Sequence, residues 1–261
     1  MLRELERIMQ EIQPLFVYRG KLIVSEKDGH ANYVTNIDTE VQDVLREKLG
    51  QLIPEAAFIG EEQINGTLGE GLSWVVDPID GTMNFMREWN FSAVSVALLE
   101  KGKPVLACIY QPYRDEIFMA KKNEGAFLNR KPISVSQTPF RKALVGFGTS
   151  PYQPEFAERS LKLACAFLKQ AGDLRRTGSA ALDLAYVACG RQDIFFELHL
   201  SPWDVAAGAL LVEEAGGVFQ MPMLPEIQFS GETAILASNL VCAEEALRLY
   251  QEYSSGKEGQ C

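Results

Sequence analysis

Residues 73–85 read SWVVDPIDGTMNF, and the six letters from Asp77 to Thr82 govern how the rest of the chain is read. Val75 and Val76 read as a buried strand, with Asp77 at its carboxyl end. Pro78 fixes φ and lacks an N–H, so the ladder is expected to end there. Asp80 lies three residues on, across a turn from Asp77. Gly81 permits close backbone approach, and Thr82 or Asp80 can cap a following helical turn. The N–H groups of Gly81 and Thr82 would then point outward without acceptors, ready for a phosphate oxygen. Two carboxylates on so tight a turn repel, by roughly 4 kcal/mol at about 4 Å and an effective dielectric near 20. A divalent cation removes that conflict. Oxygen ligands from Asp, with a backbone carbonyl such as that of Ile79, suit Mg²⁺. Taken alone the hexapeptide is equally an ordinary loop, because Asp-Pro and Asp-Gly both mark turns.

Two further acidic elements weigh against the plain turn. FIGEEQ (residues 58–63) is a short apolar strand that ends in Glu61 and Glu62. SPWDVAAGALLVEEAGG (residues 201–217) places Asp204 at the start of an apolar helix, where an Asp is also a common N-cap. Trp203 beside it reads as a packing residue.

Around these elements the chain alternates regularly. Leu2, Leu5, Ile8, Ile12 and Leu15 predict a helix over residues 2–19, with a kink or early stop at Pro14. Residues 20–36 read as a loop or loose hairpin, and a second helix is expected over residues 39–52. SWVVD, FSAVSVALL, PVLACIYQP and DEIFMAKK are β-rich runs separated by turns, and LNRKPISVS reads as one more hairpin. Beyond ALVGFG, helical stretches (about 154–171, 180–189 and 203–215) alternate with the strands DIFFEL, GVFQ and AILAS, and a helix at about 241–253 follows. The pattern predicts one layered α/β unit over residues 1–261. Its two halves, about 1–136 and about 137–261, carry the first metal-binding acids and Asp204 respectively.

Composition narrows the function classes. The 261 residues are 47% hydrophobic and 23% charged, with a net charge of −10. Nucleic-acid binding relies on Lys and Arg to neutralise phosphates, so an acidic chain argues against that partner. No apolar run approaches the roughly 20 residues of a membrane span, and the amphipathic first residues lack a signal region. Cysteines at 108, 165, 189, 242 and 261 form no C-x-x-C pair, so neither a disulfide framework nor a structural zinc site is indicated. Reduced thiols in a cytoplasmic protein are the expectation.

Together the acidic elements resemble the inositol monophosphatase family of metal-dependent, lithium-sensitive sugar phosphatases. The first family signature is complete in Asp77 to Thr82. The second matches Trp203, Asp204, Ala206, Ala207, Gly208, Gly216 and Gly217. Gly60, Glu61 and Glu62 match a Gly-Glu-Glu element, and Val34, Thr35 and Asp38 match a Val-Thr-x-x-Asp element. The resemblance covers residues 20–240 and implies an α-β-α-β-α sandwich, usually a homodimer, acting on a small phosphate ester with Mg²⁺. It assigns Glu61, Asp77 and the Ile79 carbonyl to a first Mg²⁺, and Asp77, Asp80 and Asp204 to a second. Glu61 and Thr82 would position the attacking water, with Asp38 behind Thr82. Asp80, Gly81, Thr82, Ala180, Glu197 and Asp204 would face the substrate, and Lys27 and Asp28 would lie near a third, weak metal site. Met83 departs from the polar residue common after the signature, and SEKDGHAN matches the family's mobile loop only loosely. A substrate-contacting Ser of the family falls near Thr149.

Inositol monophosphate or a similar polyol phosphate is the substrate this implies. Fructose 1,6-bisphosphate, 3′-phosphoadenosine 5′-phosphate and histidinol phosphate are the alternatives, and a silent phospho-ligand or metal-binding protein is the alternative from another class. Other phosphatase chemistries fit poorly. Cys108 to Arg114 has the C-x5-R spacing of a cysteine phosphatase but no Gly-rich cradle, and an aspartyl-phosphate mechanism needs Asp-x-Asp. His199 reads as packed or surface, His30 as loop, and Arg175 and Arg176 as surface cations that could face a substrate anion.

Overall fold

The strand carrying the acidic turn lies inside an eight-stranded sheet, with a neighbour on each side. The computed structural model describes residues 1–261 except 18, 19, 28–30, 63, 66–70 and 255–261, so Asp28, His30 and Cys261 lie outside the described residues. The chain begins with α1 (Leu2–Val17), the hairpin β1 (Val24–Glu26) and β2 (Tyr33–Thr35), and α2 (Asn36–Leu52). It continues through β3 (Ala57–Gly60), β4 (Ile64–Asn65), β5 (Leu72–Asp80) and α3 (Thr82–Met86). A meander follows: β6 (Ala93–Glu100), β7 (Lys103–Gln111), β8 (Glu116–Lys121), β9 (Gly125–Leu128) and β10 (Lys131–Ile133). Next come β11 (Leu144–Phe147), α4 (Ala157–Leu168), β12 (Asp173–Arg175) and α5 (Ala180–Ala188). The remainder is β13 (Ile194–Leu200), α6 (Pro202–Glu214), β14 (Val218–Gln220), β15 (Thr233–Ser238) and α7 (Ala243–Ser254).

The large sheet has the order β10-β9-β8-β7-β6-β5-β3-β4 and is antiparallel except where β3 runs parallel to β5. The second sheet, β12-β11-β13-β15-β14, is parallel across β12, β11 and β13 and antiparallel beyond. Alternation along the strands makes the layers, because successive side chains point to opposite faces. Trp74 and Val76 pack on α1 and α2, while Val75 faces the opposite core with α5 and α6. In the second sheet Phe195 faces α5 and α6, and Ile194 and Phe196 face α4 and α7. The result is an α-β-α-β-α sandwich. The two sheets divide between Ile133 and Leu144, and one core joins them through the middle helices. Those helices are apolar nearly all round, as a helix pressed between two sheets must be.

Several local expectations are corrected. Helix α1 runs through Pro14 to Val17, because Pro14 is exposed while Ile12 and Phe16 anchor the buried face on either side of it. Pro78 does not end its ladder. Asp77 pairs with Ser95 and Asp80 with Ala93, so a β-bulge absorbs the proline, one of the few places a strand tolerates it. Helix α2 starts at Asn36, before residue 39, because Thr35 and Asp38 form a capping box around its first turn. Helix α4 is shorter than residues 154–171, with a 3-10 turn at Pro154–Phe156 in front of it.

Candidate metal centre and substrate cavity

The bulge in β5 turns Asp77 and Asp80 toward the amino end of α6, which brings in Asp204. One carboxylate oxygen from each of Asp77, Asp80 and Asp204 lies within 4.8 Å of the others. Asp77 and Asp80 are buried and Asp204 is half-buried. Burial is the main cause that raises the Asp77 carboxyl well above the usual range, and the charges of Glu61, Asp80 and Asp204 add to it. Asp204 is raised well above the usual range by burial and then by Asp80 and Glu61. Asp80 is raised to about 6 by burial, against the hydrogen bonds it accepts. Like charges held this close disfavour ionisation unless a cation joins them.

Local structure fixes each acid. The Ile79 N–H donates to Asp77 Oδ1 at 2.9 Å, and the Ser201 N–H donates to Asp204 Oδ2 at 2.7 Å. Asp204 is the third residue of α6, and its carboxylate closes a capping box with the N-cap Ser201. Asp80 caps neither its own turn nor α3. Its carboxylate accepts the Ser179 hydroxyl, the Ala181 N–H at 2.9 Å and the Ala180 N–H at 3.2 Å, all at the start of α5. Thr82 opens α3 without capping it. The N-cap is Gly81, with φ of 87°, and a Cβ there would lie 2.9 Å from the Gly178 carbonyl oxygen. Among the described residues, the N–H groups of Gly81 and Thr82 find no protein acceptor.

Thr82 Oγ1 lies 3.1 Å from the Ile79 carbonyl oxygen and 3.3 Å from Asp38 Oδ1. Asp38 is fully buried, and its other oxygen accepts the Thr35 N–H at 2.8 Å and the Thr35 hydroxyl. One residue thus starts a helix and reaches the site. Burial raises its carboxyl to about 6, against the Thr35 hydrogen bonds.

Glu61 lines the same cavity but stands outside the trio of Asp oxygens. Lys27 Nζ lies 2.9 Å from Glu61 Oε1 and 2.5 Å from Glu62 Oε1, so an ammonium holds both acids. Glu62 is raised to about 7 by burial and by Glu61, with Lys27 opposing.

The cavity above the acids has a volume of about 650 Å³. Its walls include Lys27, Met83, Ser150, Tyr152, Arg176, Glu197 and Trp203. Glu197 is buried, and its Oε1 accepts the Ser150 N–H at 2.8 Å. Burial raises it to about 7, with the Ser150 hydrogen bond and Arg176 pulling the other way. The two arginines part company: Arg176 lines the cavity, while Arg175 pairs with Asp173 on the surface. Ser150 reaches the cavity wall, whereas Thr149 Oγ1 accepts from Arg176 Nη2 at 3.3 Å. His199 also lines the wall, stacks on Phe156 and lies 3.2 Å from Glu232. Cys108 is fully buried in β7, and burial pushes its thiol far up, which removes the cysteine-nucleophile alternative.

Sequence reasoning missed Ser179, Gln42 and Tyr152. Ser179 and Tyr152 come from loops with no periodic signal. Gln42 is a fully buried amide on α2 whose Oε1 accepts the Glu62 N–H at 3.0 Å. A polar residue on the apolar face of α2 was its only sequence signal.

The profile of the inositol monophosphatase family matches residues 4–255. A protein of Xylella fastidiosa named Nus factor SuhB is 38% identical over 234 residues, covering 87% of this chain and 84% of the relative. Among solved structures, an IMPase of Thermotoga maritima superposes with a TM-score of 0.88 at 28% identity, covering 97% of each chain. The extragenic suppressor protein suhB of Bartonella henselae superposes with a TM-score of 0.86 at 33% identity, again covering 97% of each.

Proposed function

The chain belongs to the inositol monophosphatase family, and from that membership we propose that it is a Mg²⁺-dependent phosphomonoesterase acting on inositol monophosphate or a similar polyol or sugar phosphate. The observation that carries this reading is the trio Asp77, Asp80 and Asp204, with oxygens within 4.8 Å of one another. A donor set made only of carboxylate oxygens, two of its members buried, fits a hard divalent cation such as Mg²⁺. Asp77 would be shared between two ions, with Glu61 and the Ile79 carbonyl on one side and Asp80 and Asp204 on the other. Lys27, and Asp28 beyond the described residues, would mark a third and weaker site. When bound, Mg²⁺ supplies Lewis acidity and lowers the pKa of a coordinated water.

The protein's own groups account for the rest. Among the described residues the N–H groups of Gly81 and Thr82 have no protein acceptor, and they would hold the phosphate. Thr82 Oγ1 would orient the attacking water together with Glu61, and Asp38 Oδ1, 3.3 Å away, would fix that hydroxyl. Lys27 pairs with Glu61 Oε1 and would compete with an ion for that oxygen. Ala180 and Glu197 line the wall where a leaving group would sit. Inhibition by Li⁺, a homodimer and a cytoplasmic location belong to the same proposal.

Phosphate release in the presence of Mg²⁺ tests it, over inositol 1-phosphate, fructose 1,6-bisphosphate, 3′-phosphoadenosine 5′-phosphate and histidinol phosphate. The expected outcome is turnover that disappears with EDTA, fastest on the inositol ester. Preference for the nucleotide would overturn the substrate class. No turnover on any ester would leave the phospho-ligand or metal-binding reading in its place.

A further inference from the structure

Residues 148–153 form an arm on the cavity wall. Gly148 lies so close to Glu197 that a Cβ would stand 1.8 Å from Glu197 Oε2. Ser150 has a φ of 44°, a conformation that costs a non-glycine residue free energy and persists only where the surroundings impose it. Glu197 Oε1 imposes it here, by accepting the Ser150 N–H at 2.8 Å, and the Ser150 hydroxyl also lies 3.3 Å from the His199 carbonyl oxygen. The Gln153 N–H then donates to the Ser150 carbonyl at 2.9 Å and closes a β-turn, with Pro151 in the position where a proline favours the turn. Tyr152 is the next residue of that turn, and it lines the cavity together with the metal-centre acids.

Tyr152 is 44% exposed, and its hydroxyl makes no hydrogen bond among the described residues. A tyrosine hydroxyl keeps its proton up to about pH 10, so at neutral pH it is available as a donor. The N–H groups of Gly81 and Thr82 that would hold the phosphate are on a different element, whereas Tyr152 stands on the arm with Ser150 and shares the cavity wall with Glu197 and Arg176.

We propose that Tyr152 is a specificity-determining residue whose hydroxyl donates a hydrogen bond to a hydroxyl oxygen of the leaving group. Glu197, which lines the same wall, also holds the arm through the Ser150 N–H. The proposal rests on the phosphomonoesterase reading and names the part of that site that reads the alcohol.

The test is steady-state kinetics of the Mg²⁺-loaded full chain and of Tyr152→Phe, on inositol 1-phosphate and on phenyl phosphate, whose leaving group carries no further hydroxyl. Tyr152→Phe keeps the ring and removes the donor. The loss of one hydrogen bond is expected to raise KM for inositol 1-phosphate by about 3- to 10-fold, with kcat within about twofold and phenyl phosphate unaffected. An equal change on both esters, no change on either, or a fall in kcat alone would overturn the proposal. So would a lower thermal midpoint of the variant, which would make the hydroxyl structural. A wild-type chain inert toward both esters would overturn the inositol-ester reading, and this inference with it.

Discussion

Replacing Asp204 by Asn removes one of three clustered charges while keeping the shape of the side chain and the acceptor for the Ser201 N–H. Activity and stability should move in opposite directions. Loss of a charged ligand is expected to lower Mg²⁺-dependent turnover by about 100-fold or more. Relief of repulsion should raise the metal-free thermal midpoint, by about 2–4 °C if it is worth roughly 1 kcal/mol. Phosphate release checks the first and calorimetric scanning with EDTA and with Mg²⁺ the second, where the Mg²⁺-induced shift should also shrink. At this scale the acids were legible before the fold was known. Asp77 closes an apolar strand and Asp204 opens an apolar helix; each placement has an ordinary structural use alone, and it was their occurrence together with Asp80 and Glu61 that pointed to a cation. What the sequence hid was their company. Ser179, which bonds Asp80 from 99 residues away, and Lys27, which holds Glu61 from 34 away, are brought in by tertiary packing.

Helices α5 and α6 carry the consequences of that packing to the site. The amino end of α5 holds Asp80, the first turn of α6 holds Asp204, and the two helices touch where Gly208 meets Leu184. A Cβ on Gly208 would lie 2.4 Å from Leu184 Cδ1 and 2.5 Å from Leu184 Cβ. Gly208→Ala should therefore overpack the contact and cost about 1–3 kcal/mol, measured by denaturant unfolding. A variant as stable as the wild type would show that the helices have room to part. Helices α1 and α2 could be read from their periodicity, because one face of each is buried, whereas β5, α5 and α6 were legible as unbroken apolar runs. The misreadings arose where tertiary contacts outweigh a local rule. Pro14 stays helical because its neighbours Ile12 and Phe16 are buried, and Pro78 stays in its strand because a bulge accommodates it.

The whole molecule carries an excess of buried acids, and that fixes its response to pH. Asp38 and Asp80 titrate at about 6, Glu62 and Glu197 at about 7 and Asp183 at about 8, each raised chiefly by burial. A carboxyl whose native pKa is raised keeps its proton in the folded state after the unfolded chain has lost it. Its favourable contribution is complete below about pH 4 and is lost as pH rises toward the native value. The metal-free protein should thus be less stable at pH 8 than at pH 6. Mg²⁺ should raise the thermal midpoint more at pH 8, because the ligands bind as carboxylates. A metal-free midpoint that climbs between pH 6 and pH 8 would contradict this ledger of charges. The central claim, that the acids of β5 and α6 form a Mg²⁺ centre for phosphate-ester hydrolysis, is tested most directly by one titration. Phosphate release from inositol 1-phosphate is followed against Mg²⁺ concentration for the wild type and for Asp77→Asn. The expected result is a saturable Mg²⁺ dependence in the wild type and its collapse in the variant. Turnover without Mg²⁺, or a variant near the wild-type rate, would contradict the account.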